Sequence, residues 1–493
     1  MNRFRFTLSW PLLSHLAILI CLLIWSLAVW WPTRFLPFHW DSAGFVHQAA
    51  QNLLATNFSP LIADGSDFAH PPLVPLLLAW VRISFPPDLL NAHLLVLPLL
   101  PLFLISAYWF GYKLSGPLGG VALAFLLGFT PVVLAESGII YLDLPVAAFS
   151  LTALTLWLYR RPWLSLGFFF LALATKETAL LLLPFYFFYG FNGWSRRRLV
   201  LYCLVPIFVM FGWFAYHASV TTWWFIAPTA QFGHRFTQNL TELLNVTVKI
   251  LRVSGLDQAR FLISLPLIII LYRSALDYRQ FKPSDRRLFN SLLSVMLSFG
   301  LFYLVISEYT PRYLILILPY LYFLVIWGLS RWFAKLTPNF HLWLLSGYTA
   351  LTSLAFIYFW RPTSPLLTRY DFRPPSDLRY QNQIAVFRQA AAQLTVQAPN
   401  LVVYGSFPEN IYFTEPLLGY ISKPLTFRPC LETTINAKPP VIIVVHPFSP
   451  GQQLCRRLVS AANLKPFAHF TSADQWLELY QFNATAAAVL PTL

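Results

Sequence analysis

Apolar runs near 20 residues recur along this chain, from "LAILICLLIWSLAVWW" close to the N-terminus to "LWLLSGYTALTSLAFIYFW" at 342–360. A helix rises about 1.5 Å per residue, so about 20 apolar residues cross a hydrocarbon core of roughly 30 Å. Repetition of such runs leaves one class of fold, a polytopic α-helical membrane protein, as far as about residue 360. Composition agrees: 57% of residues are hydrophobic and 11% are charged, where a soluble domain carries about 25% charge. The first run passes straight into bulky "WWPTRFLPFHW" without a small-residue cleavage site, which predicts a retained span and not a removable leader.

The formal net charge of +15 does not point to nucleic acid. The basic residues come in short clusters between apolar runs: "GYKLSG", "YRRPW", "GWSRRRL", "YRSALDYRQFKPSDRR" and "SRWFAKL". Clusters of this kind mark cytoplasmic loops. With Arg3 and Arg5 also inside, all five clusters share the cytoplasmic side only if "HPPLVPLLLAWVRISFPP" does not cross. Pro75 and Arg82 leave that segment about 10 usable residues, too few to span, so it is expected to lie flat on the outer surface. About 11 spans follow, near 12–31, 89–110, 117–135, 142–159, 163–175, 178–191, 199–217, 259–275, 288–307, 312–330 and 342–360. The expected organisation is a membrane domain over 1–360, with interfacial helices in a first external loop at 32–88. A Pro-rich linker at 361–380 and an external domain at 381–493 follow. In that tail "NQIAVFRQAAAQL" and "GQQLCRRLVSAANL" have helical spacing, while "LVVYGS" and "VIIVVHPF" read as buried strands, which predicts a small α/β domain. The four cysteines have no metal-site spacing. Cys430 and Cys455 can pair if the tail lies outside the cytoplasm.

Under this topology the ionisable residues at the ends of the apolar runs share the external side. They are Asp41 after the first span, His70 before a double proline, Asp143 in "IIYLDLPV", Lys176 and Glu177 in "LALATKETALLLLP", and Glu308, Arg312 and Tyr313 in "SEYTPRYLILILPY". Ionisable groups at membrane depth are costly and are retained for function or in pairs. Each also has a local structural role open to it. Asp41 suits a helix N-cap, His70 an interfacial turn, Asp143 and Lys176 a structural ion pair, and Arg312 a headgroup anchor.

Taken in order, "HWDSAGFVHQAAQNLL", "HPPLVPLLLAW", "YLDLPVAAFS", "LALATKETALLLLP" and "PRYLILILPYL" resemble the GT-C superfamily of membrane glycosyltransferases. The branch they resemble holds protein O-mannosyltransferases and aminoarabinose lipid A transferases. The resemblance covers most of residues 1–360. It departs where that family often has Asp-Glu, here Asp41-Ser42, and where aminoarabinose transferases tend to have Glu-Lys, here Ala69-His70.

The resemblance implies an inverting glycosyltransferase of the bacterial inner membrane, with its N-terminus cytoplasmic and its tail external. It would move a hexosyl or pentosyl group from a polyprenyl-phosphate donor to a hydroxyl of a lipid, glycan or protein. The absence of a Walker A loop, a Gly-rich dinucleotide fingerprint and an Asp-x-Asp motif fits a donor without a nucleotide. Asp41 is then the expected general base and Asp143 a catalytic or acceptor-orienting carboxylate. His70, Lys176, Glu308, Arg312 and Tyr313 are expected to bind substrate, with the cations on the donor phosphate. The resemblance names no certain cofactor; a divalent cation is compatible with it, with Asp143 its candidate ligand. Two other classes remain open to the sequence: an O-antigen ligase or polymerase, and a lipid-linked sugar transporter or flippase.

Overall fold

The structure is a computed structural model describing residues 10–59, 70–190, 196–224, 236–306, 310–333, 337–360, 377–397, 400–430, 440–447 and 451–482. The chain forms two compact units. One comprises Met1–Thr33, Leu61–Val74 and Leu94–Phe359; the other comprises Arg34–Pro60, Pro75–His93 and Trp360–Leu493.

The first unit is a bundle of apolar helices. Five of its helices are long and apolar enough to cross a membrane: Leu12–Thr33, Leu99–Phe129, Leu199–Thr221, Pro283–Val305 and Asn339–Tyr358. Shorter apolar helices occupy Asp143–Leu158, Pro162–Thr175 and Phe261–Leu276. The stretch Leu99–Phe129 is two helices folded back on each other at Gly116, whose φ of 77° is open to glycine without strain. A Cβ on Gly120 would lie 2.5 Å from the Tyr108 carbonyl. Residues 12 apart on one straight helix would be separated by about 18 Å, so the chain must reverse, and Pro117 opens the second helix where a missing N–H costs nothing. The apolar run expected to span from residue 89 begins instead with the short helix Leu89–His93, and the long helix starts at Leu99 after Pro98.

Helix Trp10–Trp30 exposes Leu12, Leu16, Ile20, Ile24 and Leu27, and only 11% of its apolar window is buried. An apolar face this large suits lipid, as expected of an integral membrane protein. Helix Leu240–Gly255 is capped by Asn239, which accepts from the Glu242 N–H at 2.9 Å; it lies in a segment whose sequence has no long apolar run.

Helices Asp143–Leu158 and Pro162–Thr175 form an antiparallel hairpin. Arg160 and Arg161 therefore sit at one end of the bundle, with Lys113 over the Tyr159 ring at 5.1 Å. Arg331, at the end of Leu318–Phe333, pairs with Asp285 beside Arg286 and Arg287 at the start of Pro283–Val305. The starts of Asp143–Leu158 and Leu318–Phe333 form the opposite end.

The second unit is built on a five-stranded sheet: β1 (Val402–Gly405), β2 (Phe427–Pro429), β3 (Val441–Val445), β4 (Pro466–Ser472) and β5 (Gln475–Phe482), in the order β2-β1-β3-β5-β4. β1 is parallel to β2 and β3, and β5 is antiparallel to β3 and β4. The two β-branched runs of the tail are β1 and β3, and its two periodic runs are helices Tyr380–Gln397 and Gln452–Ala461. Cys430, after β2, is disulfide-bonded to Cys455 on the second of these helices. The first-loop segments Arg34–Pro60 and Pro75–His93 belong to the same unit. A π-helical turn, Ser42–His47, runs into helix Gln48–Ala55. The Phe38 N–H donates to the Leu418 carbonyl at 3.0 Å. A Cβ on Gly44 would fall 2.8 Å from the Phe407 ring, so that close approach requires glycine.

Candidate functional site

In the first unit, three of the expected residues meet at the bundle end opposite the arginine-rich turns. Asp143 opens the helix Asp143–Leu158, where a carboxylate is favoured by the positive end of the helix dipole. Lys176 sits in an extended kink (φ −160°, ψ 135°) between Pro162–Thr175 and the 3₁₀ turn Glu177–Leu182. Arg312 sits in the 3₁₀ turn Pro311–Leu316, which packs against the start of the Asp143 helix. The Lys176 Nζ donates to Asp143 Oδ1 at 2.6 Å. The Arg312 Nε lies 3.2 Å from Asp143 Oδ2, close enough for an ion pair but not aligned as a hydrogen bond. Side chains of all three are 5–7% exposed.

Aromatic rings complete the cluster. The Arg312 guanidinium stacks on Tyr141 at 4.3 Å from its centroid and donates to the Tyr141 hydroxyl at 3.4 Å. Lys176 Nζ lies 4.5 Å above Tyr313, which stacks on Tyr303 at 5.2 Å. Cations over ring faces are attracted by the ring quadrupole. His70 Nδ1 is 2.8 Å from Glu177 Oε2, a second, more accessible pair.

The sequence reading placed Asp143, Lys176, Arg312 and Tyr313 on one face, and the fold brings them into contact. It did not single out Tyr141, whose signal was its place beside Asp143 in "IIYLDLPV". Nor did it single out Glu136, which is 1% exposed on helix Pro131–Ser137, packed against the Arg312 turn. Glu308 lies outside the described residues, as do positions 361–376 of the linker. Asp143 commits both oxygens to cations. Among the described residues no three His, Cys, Asp or Glu side chains gather as metal ligands. This donor set does not fit a divalent cation at Asp143.

In the second unit, Asp41 precedes the Ser42–His47 turn. Its side chain makes no capping hydrogen bond to that turn; the hydroxyl of Ser42 instead accepts from the His39 N–H at 3.1 Å. Below the turn, His47 is fully buried, with Arg82 2.7 Å from its Nδ1 and Glu415 3.8 Å from its Nε2. Gln51 also donates to Glu415, at 3.1 Å. Burial, then the Arg82 charge, push the His47 pKa down to about 3. Burial lowers Arg82 to about 10, against the pull of Glu415. His47, Arg82 and Glu415 had no sequence signal as a group, since Arg82 lies 35 residues from His47 and Glu415 more than 300 away.

No family model matches this sequence, and no curated protein matches it. Solved structures do. The crystal structure of ArnT from Cupriavidus metallidurans bound to undecaprenyl phosphate is 17% identical, with a TM-score of 0.54 over 96% of this chain and 99% of that one. The same protein in the apo state is 15% identical, with the same TM-score and coverage. The chain therefore has the ArnT fold across nearly its whole length, in line with the GT-C resemblance of its motifs.

Proposed function

We propose that the chain is a GT-C-type glycosyltransferase that moves a sugar from a polyprenyl-phosphate carrier to an acceptor hydroxyl on the outer face of the bacterial inner membrane. The observation that carries this reading is the convergence of Lys176 and Arg312 on Asp143 at one end of an apolar bundle. Both cations bear on one carboxylate, and His70 pairs with Glu177. A phosphate presented at the membrane surface suits two cations held side by side, and an arginine fork suits its oxygens. ArnT has this fold and has been solved with undecaprenyl phosphate.

The chemistry follows from the donor. An acceptor hydroxyl attacks the anomeric carbon as the bond from that carbon to the phosphate oxygen breaks. The leaving phosphate takes the electron pair, and a general base takes the hydroxyl proton. A single displacement inverts the anomeric centre. Asp41 is the proposed base. Lys176 and Arg312 would stabilise charge that grows on the leaving phosphate in the transition state. Asp143 holds these two cations in register. Tyr313 and His70 border the donor, and Glu308 is assigned to substrate on the motif alone. Lipid, glycan and protein hydroxyls are all compatible acceptors, and hexosyl and pentosyl donors are compatible sugars. No step is routed through a metal.

The basic turns at the far end of the bundle support a cytoplasmic N-terminus and an outward site, with about 11 crossings. The position of the site at helix ends favours a transferase over a transporter, whose ionisable groups belong near mid-helix breaks. The early loop that carries Asp41 favours the transferase over a ligase or polymerase, whose key Arg and His residues would lie in a large late loop. Lipid profiling of a deletion strain tests the reading. A polyprenyl-phosphate sugar should accumulate; an unchanged lipid pool would overturn it.

A further inference from the structure

We infer that Tyr412, in the C-terminal α/β domain, is a positioning residue for Asp41. This rests on the reading of Asp41 as the general base. Trp40, immediately before Asp41, has φ +51°, a conformation that side chains larger than hydrogen rarely adopt. Such a backbone persists only where its surroundings hold it. The holding group is the Tyr412 hydroxyl, which accepts from the Trp40 N–H at 2.6 Å. The Trp40 carbonyl is fixed in turn by the N–H groups of Ala43 and Gly44, at 3.0 and 2.8 Å. Both peptide units flanking Trp40 are therefore tied down, one to the helical turn and one to a residue 372 positions away.

Tyr412 is itself rigid. It is fully buried, stacked on Tyr420 at 4.1 Å and met edge-on by Phe387 at 5.1 Å. Its oxygen lies 3.1 Å from His39 Nδ1. Burial pushes His39 down to about 3, so its ring is neutral and can accept the phenol proton. Burial first, with Glu409 and Asp41 adding to it, pushes the Tyr412 phenol up, so that proton is always present. The hydroxyl thus accepts from the Trp40 N–H while it shares a hydrogen bond with His39. The Trp40 ring is braced separately, edge-on to Phe407 at 5.3 Å. Removing only the hydroxyl leaves this packing intact, orphans a buried N–H and frees the peptide that aims Asp41.

The test compares wild type, Tyr412→Phe, Asp41→Asn and the double variant. The proteins are purified full-length and reconstituted in liposomes with the donor lipid from the deletion strain. Tyr412→Phe should lower kcat about 10- to 100-fold, as expected for a displaced catalytic group. Its donor KM should be unchanged, and the double variant should be no slower than Asp41→Asn. A wild-type kcat in Tyr412→Phe overturns the inference. So does a lower melting temperature with wild-type kcat per folded molecule, which would reduce Tyr412 to a packing role. If Asp41→Asn itself retains transfer, the general-base reading fails and the inference falls with it, so the two failures are told apart by which variant is active.

Discussion

Lys176 Nζ donates to Asp143 Oδ1 at 2.6 Å, closing the open end of a helical hairpin across 33 residues. The side chains are each 5% exposed, and Arg312 shares the same carboxylate. The contact gives Asp143 two duties, to satisfy two cations and to fix where they point.

Neutralising either partner of this pair should destabilise the bundle. Breaking a buried pair leaves an uncompensated charge and costs about 3–5 kcal/mol. Asp143→Asn should be the more damaging, because it removes the carboxylate that both cations share. The Asp143→Asn/Lys176→Met double variant should melt closer to wild type than Asp143→Asn does. Its transfer activity should stay absent, because Lys176 is also assigned to the donor phosphate. Recovery of both stability and activity would make the pair purely structural.

Arg312→Lys keeps the charge but loses the planar fork and the flat stacking on Tyr141. Donor KM should rise about 10-fold in the lysine variant and about 100-fold in Arg312→Ala, in line with about 1.5–3 kcal/mol for charge-assisted hydrogen bonds. Titration of each reconstituted variant with donor lipid checks this. Equal KM values in both variants and wild type would leave Arg312 a headgroup anchor.

Acid should loosen the second unit before the first. Burial pushes His39 and His47 down to about 3, and His93 to about 4, from an ordinary 6.5. These folded-state values are depressed, so below 6.5 the unfolded chain binds protons that the folded chain does not. Stability is then complete above about 6.5 and falls as the pH drops toward 3–4. The groups facing them fit neutral rings: Gln383 and Tyr412 at His39, Arg82 and Glu415 at His47, the Leu36 carbonyl at His93. Protection factors over 36–55 and 380–397, taken against the intrinsic exchange rate at each pH, should fall between pH 6.5 and 4.5, and less so in His93→Gln. Constant protection factors across that window would contradict the burial of these rings in neutral form.

Most of the fold could be read in the sequence because a bilayer imposes one solution on apolar runs. The helices lie where the runs are, and Gly116-Pro117 turns the chain where "GYKLSG" interrupts it. Asp143, Lys176 and Arg312 could be read as a set because charge is scarce at the ends of such runs. Local pattern could not show what long-range contact decides. Tyr412 and Trp40 meet across 372 residues. The β4–β5 hairpin turns through Ala473 at φ 54°, without the glycine that usually announces a two-residue turn. A helix cap was the local role open to Asp41, but its side chain makes no capping hydrogen bond to the turn that follows.

The Cys430–Cys455 disulfide and the basic bundle end make the topology testable. Both tail thiols should resist alkylation until reduced. With Cys21 and Cys203 replaced, Ser422→Cys should react with an impermeant thiol reagent in intact cells, and Ser284→Cys should not. The reverse pattern would turn the proposed site inward.

The most direct measurement is transfer by Asp41→Asn in liposomes, supplied with the lipid that the deletion strain accumulates. Asparagine keeps the size of the side chain but cannot take a proton. The account predicts near-complete loss of kcat, with membrane insertion, melting temperature and donor binding like wild type. Substantial transfer by the asparagine variant would contradict it and place the base elsewhere.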